Sequence, residues 1–250
     1  MATLWVFGDS FCDLRHSEQQ WGWWTRLARD LGYDLETRAH SGCSPQWQLR
    51  QWLAARSQLH KEDIVIFVHT HVDRIWFYEH LPWMTSPHVI ERYSLPHWSG
   101  RYKIEEVAQA EAQGLVPTVR ADWCERHWET GHWREMNRDL QQIISLDVVN
   151  QPIRRALILW AFPDDGRRWS QPGVVGSLSE ISFREFRETV DPVTAMMQRG
   201  DPRSGHLSEV NHVRLADRVR EFILGDTLNL DLTQGFAERF LREQDVWPDR

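Results

Sequence analysis

The chain has little cysteine: Cys12, Cys43 and Cys124 are its only three in 250 residues. An odd number this small cannot staple a disulfide scaffold and suits a reducing compartment. No apolar run approaches the ~20 residues that cross a bilayer, so no membrane span is expected. No basic segment followed by an apolar stretch opens the chain, so no secretory signal is read. A cytoplasmic location is expected, or a virus particle assembled there. Positive charge is in deficit, with 29 Lys and Arg against 36 Asp and Glu, a formal charge of −7. That balance argues against a nucleic-acid binder, because phosphate affinity needs a cationic footprint. Internal repeats and low-complexity segments are also missing.

What is present fits one sizeable globular α/β domain over residues 1–250, with 41% hydrophobic and 26% charged residues. Fifteen tryptophans are the main anomaly. Trp supplies large rigid contact surfaces, and many are expected in the core or at an interface. The stretch "TLWVF" (3–7) reads as a buried strand ending at Gly8. "WGWWTRLARDL" (21–31) has apolar residues at helical spacing and Gly32 as its stop. "YDLETRAH" reads as a second strand. Ser44 then caps, and Pro45 opens, a helix over 45–57. The β-branched run "DIVIFVHTH" (63–71) predicts a strand buried on both faces, as in a parallel sheet.

This β-α-β-α-β order predicts a three-layer α/β/α sandwich with a flavodoxin-like, mostly parallel sheet, and a site at the carboxyl ends of the strands. Residues 76–150 interrupt the alternation with a Trp-rich, largely helical segment, read as an insertion or an extended crossover that roofs the site. "RRALILWAF" (154–162) is another buried strand, and "VVGSL" a short edge strand. Ser208 is an N-cap for a helix carrying Val213, Leu215, Val219, Phe222 and Ile223. Residues 226–250 read as a C-terminal helical tail, packed on the body or on a second copy in a homo-oligomer.

Serine catalysis needs a nucleophile, a base, an orienting carboxylate and donors for the oxyanion. Ser10 follows the first strand, Gly42 lies in a small-residue turn after the second, and His206 precedes the last helix with Asp201 five residues upstream. Taken in order, "VFGDSFCD", "AHSGCS" and "GHLSEVNHVRLADRV" resemble the SGNH hydrolase superfamily, the GDSL-type esterases and lipases. The resemblance covers most of the chain and is weakest over 76–150. It implies Ser10 as nucleophile, His206 as general base, and the backbone N–H groups of Ser10 and Gly42 as oxyanion donors.

Two departures stand out. The family's third block, Gly-x-Asn-Asp, supplies an Asn as third oxyanion donor. Here the chain reads His69-Thr70-His71-Val72-Asp73-Arg74, so His71, or His69, is the candidate replacement through its imidazole N–H. The family's Asp three residues before the histidine is Arg203. The acid is then Asp201 on a looser loop, or the site is a Ser–His dyad. His212, with Glu209 three residues before it, is a rival base, disfavoured because both fall inside the helix after its cap.

Asp9, His69 and Arg74 are candidate substrate contacts. For Asp9 the structural reading, holding the turn through loop amides, stands beside this one. The histidines are read as divided between site and core. Cys12 and Cys43 read as packing residues. Cys124, His127 and His132 lack a fourth partner, so no metal site is assigned, and no cofactor is expected. The resemblance implies a serine ester hydrolase acting through an acyl-enzyme on a small-molecule or carbohydrate ester, with a short O-acetyl group preferred. The alternative is a weakly active or inactive relative that binds carbohydrate or serves in assembly.

Overall fold

A computed structural model describes residues 2–13, 22–40, 43–72, 132–163, 171–182, 207 and 209–236. Among them, four parallel strands build the central sheet: β1 (Thr3–Gly8), β2 (Asp34–Ala39), β3 (Ile64–His69) and β4 (Arg155–Trp160). Their spatial order is β2-β1-β3-β4. Val6 lies opposite Thr37 on one side and Ile66 on the other, and Phe67 opposite Ile158. β3 is buried along its whole length, as its unbroken apolar run requires.

Alternation along the strands sends side chains to two cores. Leu4, Val6, Ile64, Ile66, Val68, Leu157 and Leu159 face α1 (Trp23–Leu31) and α4 (Glu209–Leu224). Trp5, Phe7, Val65, Phe67, Ile158 and Trp160 face α2 (Pro45–Ala55) and α3 (His132–Val149). The result is the expected α/β/α sandwich. In the second core the Phe7 ring stacks on Phe67 at 5.3 Å and meets the edge of Trp52 at 5.5 Å. Such pairs contribute about 0.5–1.5 kcal/mol each beyond the burial of their area. At the amino edge Asp63 is fully buried. It accepts hydrogen bonds from Thr3 N, Trp5 Nε1 and His60 N at 2.9–3.0 Å, tying β1 to the entry of β3.

Local signals set the helix ends. Ser44 Oγ accepts from Trp47 N at 3.3 Å with Pro45 as the first helical residue. α1 stops at Gly32, whose φ of 71° is left-handed.

Two expectations need correction, the edge strand and the helical tail. The described end of the stretch read as an insertion or an extended crossover is α3, which lies in the crossover between the adjacent parallel strands β3 and β4 and puts Ile144 and Val148 into the second core. Parallel neighbours require such a crossover, and its helix must bury one face on the sheet. Residues 73–131 lie outside the described residues. The short strand β5 (Val174–Val175) pairs with β6 (Leu230–Asp231) and not with the main sheet. Residues 226–236 are therefore not helical. Gly225 ends α4 at φ 85°, and Leu230 N and Leu232 N donate to Gly173 O and Val175 O. Ser208 and residues 237–250 fall outside the described residues.

Candidate active site

α1 covers one face of the sheet and α2 the other, so the chain changes sides after β2. β2 and β3 consequently flank β1 on opposite edges, and the carboxyl ends of β1 and β3 border the crevice where open α/β sheets take ligands. Ser10 comes off β1 at this point. Cys12 N donates to Asp9 O at 3.0 Å, closing a tight turn over residues 9–12 with Ser10 at its second position. Asp9 is fully buried and Ser10 is 6% exposed. One Asp9 oxygen accepts from Phe11 N at 3.1 Å, an Asx turn on its own backbone, and the other accepts from Thr70 Oγ1 at 3.1 Å.

Neighbouring elements fix the turn from several sides. His40 N and Cys43 Sγ donate to Gly8 O at 3.2 and 3.3 Å, so the loop leaving β2 runs along the exit of β1. Trp23 Nε1 donates to Phe11 O at 3.2 Å. A side chain at Gly8 would crowd its neighbours, since a Cβ there would lie 3.0 Å from Cys12 Sγ and 3.2 Å from Val68 Cβ. Cys12 and Cys43 are buried thiols, not joined in a disulfide.

The exit of β3 is held differently. Gln48 Nε2 donates to Val68 O at 2.8 Å, while its Oε1 accepts from Thr70 N at 3.3 Å. Gln141 Nε2 donates to Thr70 O at 2.7 Å, and Asn137 donates to Val72 O. All three amide side chains are buried. They reach the loop from α2 and α3.

Asp9, Ser10, His69 and His71 are described; Gly42, Arg74, Asp201 and His206 lie outside the described residues, as do the side chains of the tryptophans at 76–133. His69 and His71 separate, because β3 ends at His69 and the chain turns away from strand alternation. His69 is fully buried. Its Nε2 lies 2.7 Å from Ser145 Oγ, and its ring sits between Phe67 and Trp160 in the second core. His71 is half-buried on the other side, its ring edge-on to Phe162 at 5.4 Å. Phe162 in turn meets Phe11, the residue after Ser10, at 5.8 Å.

His212, the rival base, is buried in α4. Its Nδ1 accepts from Trp23 N at 3.1 Å, and its ring packs on Trp24. It supplies the N-terminal acceptor that Gly22 cannot offer α1, and with Nδ1 accepting, the neutral ring carries its proton on Nε2. Glu209 is exposed.

Sequence reasoning passed over Thr70, Gln48, Gln141 and Asn137. The signal was available: Gln48 sits in the stripe Pro45, Gln48, Trp52, Ala55, and Asn137 and Gln141 share the helical face of Ile144 and Val148. A polar residue on an apolar stripe marks a buried hydrogen-bond partner. It also passed over Asp13, a further buried carboxyl at the end of the Ser10 turn. A groove of about 560 Å³ bordered by Arg155, Gln171 and Phe222 lies at the amino end of β4, the opposite edge of the sheet. Among the described residues, no three His, Cys, Asp or Glu side chains converge to hold a metal ion, and no helix is long and apolar enough to cross a membrane.

No protein-family model matches the chain, and no curated protein matches it. Among solved structures it is similar to a member of the lipolytic protein G-D-S-L family from Veillonella parvula DSM 2008. That pair is 15% identical over 28% of this chain and 39% of the other, with a TM-score of 0.22. It is also similar to a lipolytic protein of the G-D-S-L family from Desulfitobacterium hafniense DCB-2, at 13% identity over 70% of this chain and 87% of the other, with a TM-score of 0.27. The chain thus spans about two fifths of the Veillonella protein's length. The fold is a mostly parallel sheet sandwiched between helices, with Ser10 on a tied turn at its carboxyl edge.

Proposed function

We propose that the protein is a serine ester hydrolase of the SGNH type. The observation that carries this reading is the Ser10 turn at the carboxyl end of a central parallel strand, tied through Asp9 to the exit of the neighbouring strand. A serine on a rigid turn at this edge can be presented to a ligand with little reorganisation. In the mechanism, His206 takes the Ser10 proton as Oγ attacks the ester carbonyl. The negative charge falls on the N–H groups of Ser10 and Gly42, with His71 as the third donor. His206, oriented by Asp201 or by a backbone carbonyl, returns the proton to the leaving alcohol. Water activated by the same histidine then releases the acid from the acyl-enzyme. His71 is preferred to His69 as donor because His69 is engaged with Ser145 in the core. Asp9 serves the turn, and Arg74 is the remaining candidate substrate contact. The substrate class is a short acyl ester, O-acetyl on a carbohydrate first. No organic cofactor or metal has a role in these steps.

The test is turnover of p-nitrophenyl acetate by wild type and Ser10→Ala. Activity in the wild type that falls about 10³-fold or more toward background in the variant is expected. Equal background rates in the two would overturn the reading in favour of a non-catalytic binding module. A fluorophosphonate label that maps to a serine other than Ser10 would refute the site.

A further inference from the structure

The Asp9 side chain joins the two loops of the site. Asp9 uses Oδ1 for the Phe11 N–H of the Ser10 turn and Oδ2 for the Thr70 hydroxyl of the β3 exit. Neither loop can shift without disturbing an Asp9 bond. The β3 side of this bridge is held in turn. Thr70 N and Thr70 O both bond buried amide side chains, Gln48 at 3.3 Å and Gln141 at 2.7 Å. Burying amide groups is costly unless they are paired, and a partly paired network is worse than an apolar core. Here Gln48 and Gln141 reach across from two helices to backbone groups that the sheet no longer partners, one residue before His71. The exit loop is thereby set at a defined height relative to Ser10.

We infer that Thr70 is a positioning residue: its hydroxyl locks the oxyanion-donor loop bearing His71 to the nucleophile turn, with Gln48 and Gln141 as the loop's anchors. This inference rests on the ester-hydrolase reading for its kinetic consequence, but the mechanical coupling stands apart from it. Thr70→Val keeps the shape of the side chain and removes the hydroxyl. Thr70→Ser keeps the hydroxyl and removes the methyl.

Misplacement of a catalytic group by a fraction of an ångström to one ångström lowers rates by about ten- to a hundredfold. Thr70→Val is expected to lower kcat for p-nitrophenyl acetate in that range with KM within about twofold, and to slow fluorophosphonate labelling of Ser10 in parallel. Thr70→Ser is expected to restore most of both. A Thr70→Val protein that melts at a lower temperature but retains wild-type kcat well below its transition would reduce Thr70 to a packing residue and overturn the inference. Amide exchange reads the coupling with no substrate present. Loss of the Thr70 bond removes one hold on the Asp9 carboxylate, so exchange at Phe11 N–H is expected to quicken by about tenfold in Thr70→Val. Unchanged exchange at Phe11 overturns the coupling whether or not the chain hydrolyses esters. A wild type no faster than Ser10→Ala, with Phe11 exchange quickened in Thr70→Val, would sink the hydrolase reading and leave the coupling intact.

Discussion

Gly8→Ala isolates what the first residue of Gly-Asp-Ser contributes to the fold. A methyl group there would sit 3.0 Å from Cys12 Sγ, 3.2 Å from Val68 Cβ and 3.3 Å from Cys12 Cβ. The first is under the ordinary contact distance of ~3.5–4.0 Å by half an ångström or more. All three atoms are buried, and Val68 is fixed in the middle of the sheet. Overpacking of this kind costs about 1–3 kcal/mol. Losing a glycine also narrows the unfolded ensemble, which returns about 0.4–1 kcal/mol. The net expectation is a loss of about 1–2 kcal/mol, or a melting temperature lower by about 2–8 °C for a chain of this size.

Cys12 gives the experiment its control. Cys12→Ala deletes the sulfur that makes the closest contact but leaves Cβ, so it relieves part of the clash. The double variant Gly8→Ala/Cys12→Ala should then be more stable than the sum of the single changes by about 1 kcal/mol, outside the ~0.5 kcal/mol scatter of independent sites. Urea unfolding of the four proteins in reducing buffer, at a common slope, supplies the cycle. A neutral Gly8→Ala, or additivity within that scatter, would refute the steric account of this glycine.

Two further outcomes follow from buried partners. His212→Ala removes both the acceptor for Trp23 N and a buried ring, so it should cost about 3–4 kcal/mol of stability by denaturant titration. A loss under about 1 kcal/mol would show that α1 does not depend on this cross-helix cap. Asp63→Asn replaces one acceptor by a donor facing Thr3 N, Trp5 Nε1 or His60 N. It should lower stability by about 1–3 kcal/mol in the same assay, and an unchanged midpoint would contradict the bonding described.

Much of this protein was legible in one dimension. Unbroken apolar runs marked β1, β3 and β4, because a strand buried on both faces needs no polar alternation. Ser44-Pro45 and Gly32 marked helix ends because capping and left-handed backbone are local chemistry. The β-α-β-α-β order implied a parallel sheet and put Ser10 at its carboxyl edge. Tertiary structure alone decided the rest. His69 and His71 read as divided between site and core, but the end of β3 decided which went where: His69 into the second core, His71 beside Phe162. Residues 132–149 read as part of an insertion or of a crossover until their apolar face was seen to pack on the sheet. The tail read as helix, yet residues 230–232 bond a segment far back in the chain. The bonds that organise the site join Asp9 to Thr70, Gln141 to Thr70 and Trp23 to His212, across 61, 71 and 189 residues. Periodicity and capping report only on neighbours within a turn or two. A polar residue on an apolar stripe announces that it has a partner, but only folding brings that partner to it.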